Sequence, residues 1–196
     1  MKLDQTRERI LSLFRNYGHQ DYGEHITQLS HGVQAGLIAK NKGLDEELVL
    51  AAFLHDIGHL YPLEFEQAAY QTMGDFGMEE HDHWGAACLL EAGYSERMAA
   101  VVRNHVVAKR YLCYAEPGYY EQLSDASRET LRYQGGPMDE AEAKAFEAAP
   151  FFSESIILRR IDEEAKEQNF EVTSEHWDYF SGLMVSVAVG SSGSGQ

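Results

Sequence analysis

Basic residues are scarce in this chain. Lysine and arginine number 16 against 32 aspartates and glutamates in 196 residues, a formal net charge of −16. A surface of that sign repels nucleic acid and anionic membranes at long range. A pocket can still focus a few cations on a small anionic substrate. Cysteine is nearly absent too. Cys88 and Cys113 are too few for a disulfide framework, and their apolar surroundings suit buried thiols. No apolar run approaches the length of a bilayer span. The opening MKLDQTRERILSLF lacks the apolar core and cleavage signal of a secretory leader. These absences lead to the expectation of a cytoplasmic protein. Runs of alternating strand pattern and internal repeats are also missing.

What is present is helical periodicity. Hydrophobic residues make up 44% of the chain, enough for one domain with a substantial core. That domain is expected over residues 1–189, and GSSGSGQ at 190–196 reads as a flexible tail. Ile10, Leu11, Phe14 and Tyr17 form an apolar stripe on a helix over 3–17. After the polar break GHQDYGEHI, Ile26, Leu29, Val33 and Leu37 mark a helix over 26–41. Asp45 is placed to cap the next one, which runs to Leu54 and into His55. Further helices are expected over 83–91, 95–108, 123–133 with Ser124 as a cap, 139–148, 150–168 and 176–187. The fold class is therefore all-α, with side chains of several helices available to build a site.

The dipeptide His55-Asp56 ends the apolar run LVLAAFLHDIGHL. An imidazole can hold one metal while the adjacent carboxylate reaches a second. His31, His81, His105 and Asp162 are further candidates, and imidazole with carboxylate suits iron or manganese. Burying so many ionisable groups is costly unless they are paired or metal-bound. A set of core histidines, each satisfied by a hydrogen bond, explains single positions but accounts poorly for Asp56 and Asp162. His81 and His83 are two apart and cannot share a helix face. His59 either faces the same cavity or caps a helix. Lys109, one turn after His105, and Arg159, one turn before Asp162, could present cations to a phosphate or phosphonate. Ordinary surface salt bridges are the alternative. Ser127 could add a hydroxyl.

The pattern His31…His55-Asp56…Asp162 resembles the HD-domain superfamily of helical metalloproteins, with His81 and His105 matching its two-metal version. Most such relatives are phosphohydrolases; a smaller branch comprises mixed-valent diiron oxygenases. The strings YGEHITQLSHGVQAG, FLHDIGH, the His105-to-Lys109 spacing, LSDASRETLRYQGGPM and LRRIDEEAK resemble the 2-amino-1-hydroxyethylphosphonate oxygenase group over about residues 20–166. The resemblance implies an HD-domain helical bundle holding two irons, Fe(II)/Fe(III), with O2 as co-substrate. His31, His55, Asp56 and Asp162 would hold the first iron. Asp56 would bridge to the second, which His81 and His105 would also bind. Lys109, Ser127 and Arg159 would contact the phosphonate, Glu24 the substrate's amine, and His59 its alcohol. Tyr22 would close over the iron site before substrate arrives.

The implied reaction is oxidative cleavage of the C–P bond of a 1-hydroxy-2-aminoethylphosphonate, giving glycine and inorganic phosphate. A related branch takes the trimethylammonium analogue and gives glycine betaine. That group favours aromatic faces, for which Tyr22, Tyr61 and Trp84 are candidate walls. The primary amine is preferred here because His59 leaves less room than a smaller side chain. Two other classes compete: a metal-dependent HD phosphohydrolase, and a helical ligand-binding domain without activity. No nucleic-acid or membrane partner is expected, and the oligomeric state is left open.

Overall fold

The computed structural model describes residues 2–21, 23–64 and 70–191. Ten α-helices follow one another among them: α1 (Lys2–Tyr17), α2 (Gln28–Asn41), α3 (Glu46–Leu54), α4 (His81–Glu91), α5 (Glu96–Ala115), α6 (Tyr119–Gln122), α7 (Asp125–Tyr133), α8 (Glu140–Glu147), α9 (Phe152–Glu164) and α10 (Ser174–Ser191). Two 3-10 turns, Ile57–His59 and Tyr61–Glu64, follow α3. Extended pairing among the described residues is an isolated antiparallel bridge between Thr72 and Met78. The expected all-α class is what the chain adopts. No described helix is long and apolar enough to cross a membrane.

The helix starts follow side-chain chemistry. Thr27, Asp45, Ser95, Ser124 and Asp139 each accept a backbone N–H in the first turn of the helix they precede. Asp139 and Glu142 complete a capping box. The helix expected to stop at 108 instead continues to Ala115, because nothing in KRYLCYA breaks it. Glu116 turns extended ahead of Pro117, whose ring disfavours a helical predecessor. The short α6 carries no periodic pattern of its own and was not expected.

The core lies between α1, α2, α3, α4, α5, α9 and α10. Phe53 of α3 stacks on Phe14 at 5.0 Å and on Phe180 at 4.2 Å between ring centroids, joining α1, α3 and α10. The helix α2 packs on α3, α4 on α5, and α5 on α9. The 3-10 turn after α3 is pressed against the start of α4. A Cβ on Gly58 would lie 1.7 Å from the His81 carbonyl oxygen, so only glycine allows this approach.

Candidate metal centre and anion pocket

Five elements deliver six metal-binding side chains to one place. His31 comes from α2, His55 and Asp56 from the end of α3, His81 from the first turn of α4, His105 from mid-α5 and Asp162 from α9. They form two groups, His31–His55–Asp162 and Asp56–His81–His105, each close enough to hold one ion. Asp56 adopts φ −99°, ψ 8°, a sparsely used backbone region that aims its carboxylate between the groups. Its Oδ2 lies 3.5 Å from Nε2 of both His31 and His55. Its Oδ1 lies 3.5 Å from His105 Nε2 and 3.7 Å from His81 Nε2. One carboxylate thus faces both positions. Asp162 Oδ1 completes the first, 3.2 Å from His31 Nε2.

Backbone carbonyls set the tautomer of all four imidazoles. Nδ1–H of His31 donates to Ala165 at 2.9 Å, His55 to Ala52 at 2.8 Å, His81 to Met78 at 3.0 Å and His105 to Val102 at 2.6 Å. A carbonyl only accepts, so each Nδ1 carries a hydrogen, which leaves Nε2 as the ring atom that offers a lone pair to a metal whenever the imidazole is neutral. Yet the Nε2 atoms of His31 and His55 face each other at 3.1 Å, and those of His81 and His105 at 3.0 Å. Two ring nitrogens at that distance need a proton or a metal ion between them. Core histidines each satisfied by a hydrogen bond would not converge in this way. The donor set fits a dinuclear metal-binding site.

The electrostatics agree. Burial opposes charge on His55, but Asp56 and Asp162 outweigh it and push the imidazole up to about 9. Burial would raise both carboxyls. The surrounding imidazoles hold Asp56 well below the usual range, and the Arg159 guanidinium does the same for Asp162. The carboxylates stay charged and draw positive charge to the position where a metal would sit.

His59 is of the opposite tautomer. Its Nδ1 accepts the Met78 N–H at 2.9 Å, which leaves its hydrogen on Nε2, and its ring stacks on His81 at 4.0 Å. The Met78 backbone therefore positions two rings, His59 through its N–H and His81 through its carbonyl. His83 is exposed and pairs with Asp82 at 3.2 Å, away from the cluster. His176 accepts the Thr173 N–H ahead of α10.

A cavity of about 80 Å³ opens on the cluster, room for several waters. Two buried cations line it. Lys109 donates to Thr130 Oγ1 at 2.9 Å, and burial with the nearby Arg159 charge lowers its pKa to about 7. Arg159 donates through Nη1 to Asp162 Oδ2 and through Nε to Tyr119 Oη and Glu163. Its Nη2 is buried and has no hydrogen-bond partner among the described residues. Leaving a guanidinium N–H unpaired in the interior is unfavourable, and an oxyanion in the cavity would answer it. These positions were expected to be cationic, and the surface salt-bridge alternative does not describe them, since both side chains are buried.

Ser127 and Glu24 also line the cavity. Glu24 Oε1 accepts from Lys166 Nζ at 2.6 Å, Ser124 Oγ at 2.7 Å and, at 3.5 Å, Ser127 Oγ. Sequence reasoning passed over Lys166, although it lies four residues after Asp162. It also passed over Thr130 and over Gln134, which lines the cavity and whose buried Oε1 has no partner among the described residues. Phe76 supplies the aromatic wall. The other suggested walls, Tyr61 and Trp84, do not line the cavity: Tyr61 donates to Glu91, and Trp84 borders a separate surface depression. Tyr22 lies outside the described residues.

Comparison with known proteins accords with this arrangement. A [1-hydroxy-2-(trimethylamino)ethyl]phosphonate dioxygenase (glycine-betaine-forming) of Leisingera caerulea is 38% identical over 173 residues, 88% of this chain and 85% of the relative. A hydroxymethylphosphonate dioxygenase of Gimesia maris is 36% identical over 168 residues, 84% and 82% of the two chains. An uncharacterized protein of Acanthamoeba polyphaga mimivirus is 37% identical over 182 residues, 92% and 81%. The family model described as HD domain matches residues 28–166, the segment from which all six metal-facing side chains come, and the chain belongs to that family as a metal-dependent enzyme.

Proposed function

We propose that this protein is a diiron oxygenase that uses O2 to cleave the C–P bond of a 1-hydroxyalkylphosphonate, releasing inorganic phosphate. The observation that carries the reading is an oxyanion pocket built directly onto a two-metal cluster: Arg159 bonds Asp162 with one nitrogen and keeps another buried and unpartnered in the cavity wall. Similarity to two named phosphonate dioxygenases supports oxidation over hydrolysis.

His31, His55 and Asp162 would hold one iron and His81 and His105 the other, with Asp56 bridging. An Fe(II)/Fe(III) pair there would supply O2 activation and removal of hydrogen from C1. The chain's own residues do the positioning. Lys109, Arg159 and Ser127 hold phosphonate oxygens, which neutralises the anion and fixes C1 relative to the metals. His59 keeps its hydrogen on Nε2 and presents a donor to the alcohol oxygen. Ile26, Met73 and Val106 line the same cavity and limit water.

The similarity to the Leisingera caerulea enzyme supports the trimethylammonium substrate, with glycine betaine as product, better than the primary amine that gives glycine. The preference for the primary amine rested on the bulk of His59, whose ring lies flat on His81. Anaerobic iron loading followed by O2 exposure with each phosphonate tests the reaction. Oxygen uptake, phosphate and organic product should rise together. Phosphate release from phosphomonoesters under strict anaerobiosis would instead establish a hydrolase.

A further inference from the structure

We infer that Tyr119 and Glu163 are positioning residues for anion recognition: together they lock Nε of Arg159, so that the guanidinium turns its unpaired nitrogen to an oxyanion. That the oxyanion is a phosphonate group rests on the oxygenase reading; the lock itself does not.

A guanidinium carries its three nitrogens in one rigid plane. Nη1 of Arg159 donates to Asp162. The single hydrogen on Nε is shared between Tyr119 Oη and Glu163 Oε1, each 3.1 Å away. Tyr119 Oη donates its own hydrogen to the same Glu163 oxygen, which closes a triangle of three groups. Two of the three nitrogens are thereby held, and the plane cannot turn. Nη2 is left buried and without a partner among the described residues. Held by Asp162 alone, the plane could swing about that contact, and an anion would have to arrest it on binding. Ordering the donor beforehand removes that cost.

Tyr119 and Glu163 do not line the metal-facing cavity. They line a neighbouring depression that shares Arg159 with it, so they act on the anion through the guanidinium. Tyr119 opens the short α6, behind Gly118 at φ +84°, and is 1% exposed. Its ring packs with Leu112, Leu123 and Leu131. The Arg160 guanidinium lies 4.9 Å over that ring, and Arg160 Nη1 lies 3.7 Å from Glu163 Oε2. The α6 turn thus delivers one hydroxyl to the back of Arg159. Glu163 meanwhile brings a negative charge close to an anion site. By Coulomb's law alone its removal would strengthen anion binding. As an anchor of Arg159, its removal must weaken it. The two roles differ in sign.

The test is calorimetric titration of the iron-loaded full chain with sulfate, without oxygen, at pH 6. Glu163→Ala should bind sulfate about tenfold more weakly than wild type, the loss of about one hydrogen bond to a charged group. Glu163→Gln keeps an acceptor for Nε and drops the charge, so it should bind at least as tightly as wild type. Tyr119→Phe keeps the buried ring and should weaken sulfate about threefold. Iron content should match wild type in every variant, because Asp162 keeps its own contacts. Unchanged or tighter binding by Glu163→Ala overturns the proposal, and so does a loss that Glu163→Gln fails to rescue. A fall in iron content parallel to the fall in affinity overturns it as well. Should Glu163→Ala fail to fold, unaltered binding by Tyr119→Phe is the refuting result. Absence of sulfate binding by wild type overturns the lock together with the anion pocket. Oxygen and hydroxymethylphosphonate are then added to the same samples. KM should rise by the factor lost in sulfate affinity, with kcat little changed. The expected sulfate series without oxygen uptake refutes the oxygenase reading and leaves the lock standing; turnover with a KM unmoved by Glu163→Ala refutes the lock alone.

Discussion

Lys109 shows how one side chain ties burial to anion recognition. Burial first, and the Arg159 charge second, bring its pKa down to about 7. Between about 7 and the ordinary lysine range the unfolded chain binds the proton that the folded protein gives up, so this group makes stability rise with pH across that window. Anion binding runs the other way, because the ammonium is present below about 7 and lost above it. Sulfate, whose charge is constant from pH 6 to 9, is a suitable probe. Its affinity should fall about tenfold over that range as one charge-assisted hydrogen bond disappears, and the fall should vanish in Lys109→Met. A flat calorimetric profile in the wild type would place Lys109 outside the anion site. At this scale the sequence was informative wherever chemistry is repeated at helical spacing, as for His105 with Lys109 and Arg159 with Asp162. It was silent on the tautomers, because these depend on carbonyls such as Ala165, 134 residues from His31.

Among the elements, the contact between the 3-10 turn after α3 and the start of α4 decides whether the two metal positions share a bridge. Asp56 and His81 face each other only because Gly58 lets the two backbones meet. Gly58→Ala should therefore destabilise the protein by roughly 3 kcal/mol through overpacking, read from urea unfolding. It should also lower metal content at the His81–His105 position, read by elemental analysis. Unchanged stability and full metal content would show that α4 can shift without consequence. Helix starts were legible in advance at Asp45 and Ser124, because a cap is a local bond between a side chain and the next turn. The end of α5 was misplaced by seven residues, since helical propensity continued through KRYLCYA up to the block at Pro117. The loop carrying Phe76 had no periodic signal, so its place in the cavity wall could not be read from sequence spacing.

The molecule as a whole carries a net charge of −16, yet gathers Lys109, Arg159 and Lys166 around one cavity. Its metal ligands link α2, α3, α4, α5 and α9. The folded constellation presents three donors together at each position, which the unfolded chain does not, so metal loading should stabilise the protein. At a thousandfold excess over Kd the gain is about 4 kcal/mol, or roughly 10 °C in Tm for a chain of this size. Calorimetric scans before and after chelation check this, and identical midpoints would mean that the cluster holds no metal strongly. The sequence by itself determined the all-α class, several helix caps and the stock of histidines, carboxylates and cations, because periodicity, capping and composition are local properties. Only the tertiary structure decided that Asp56 faces two metal positions, that Arg159 keeps a buried nitrogen unpaired and that Lys166 covers Glu24. Those relations depend on side chains brought together by helix packing across up to 142 positions of the chain, and no local pattern encodes such distances.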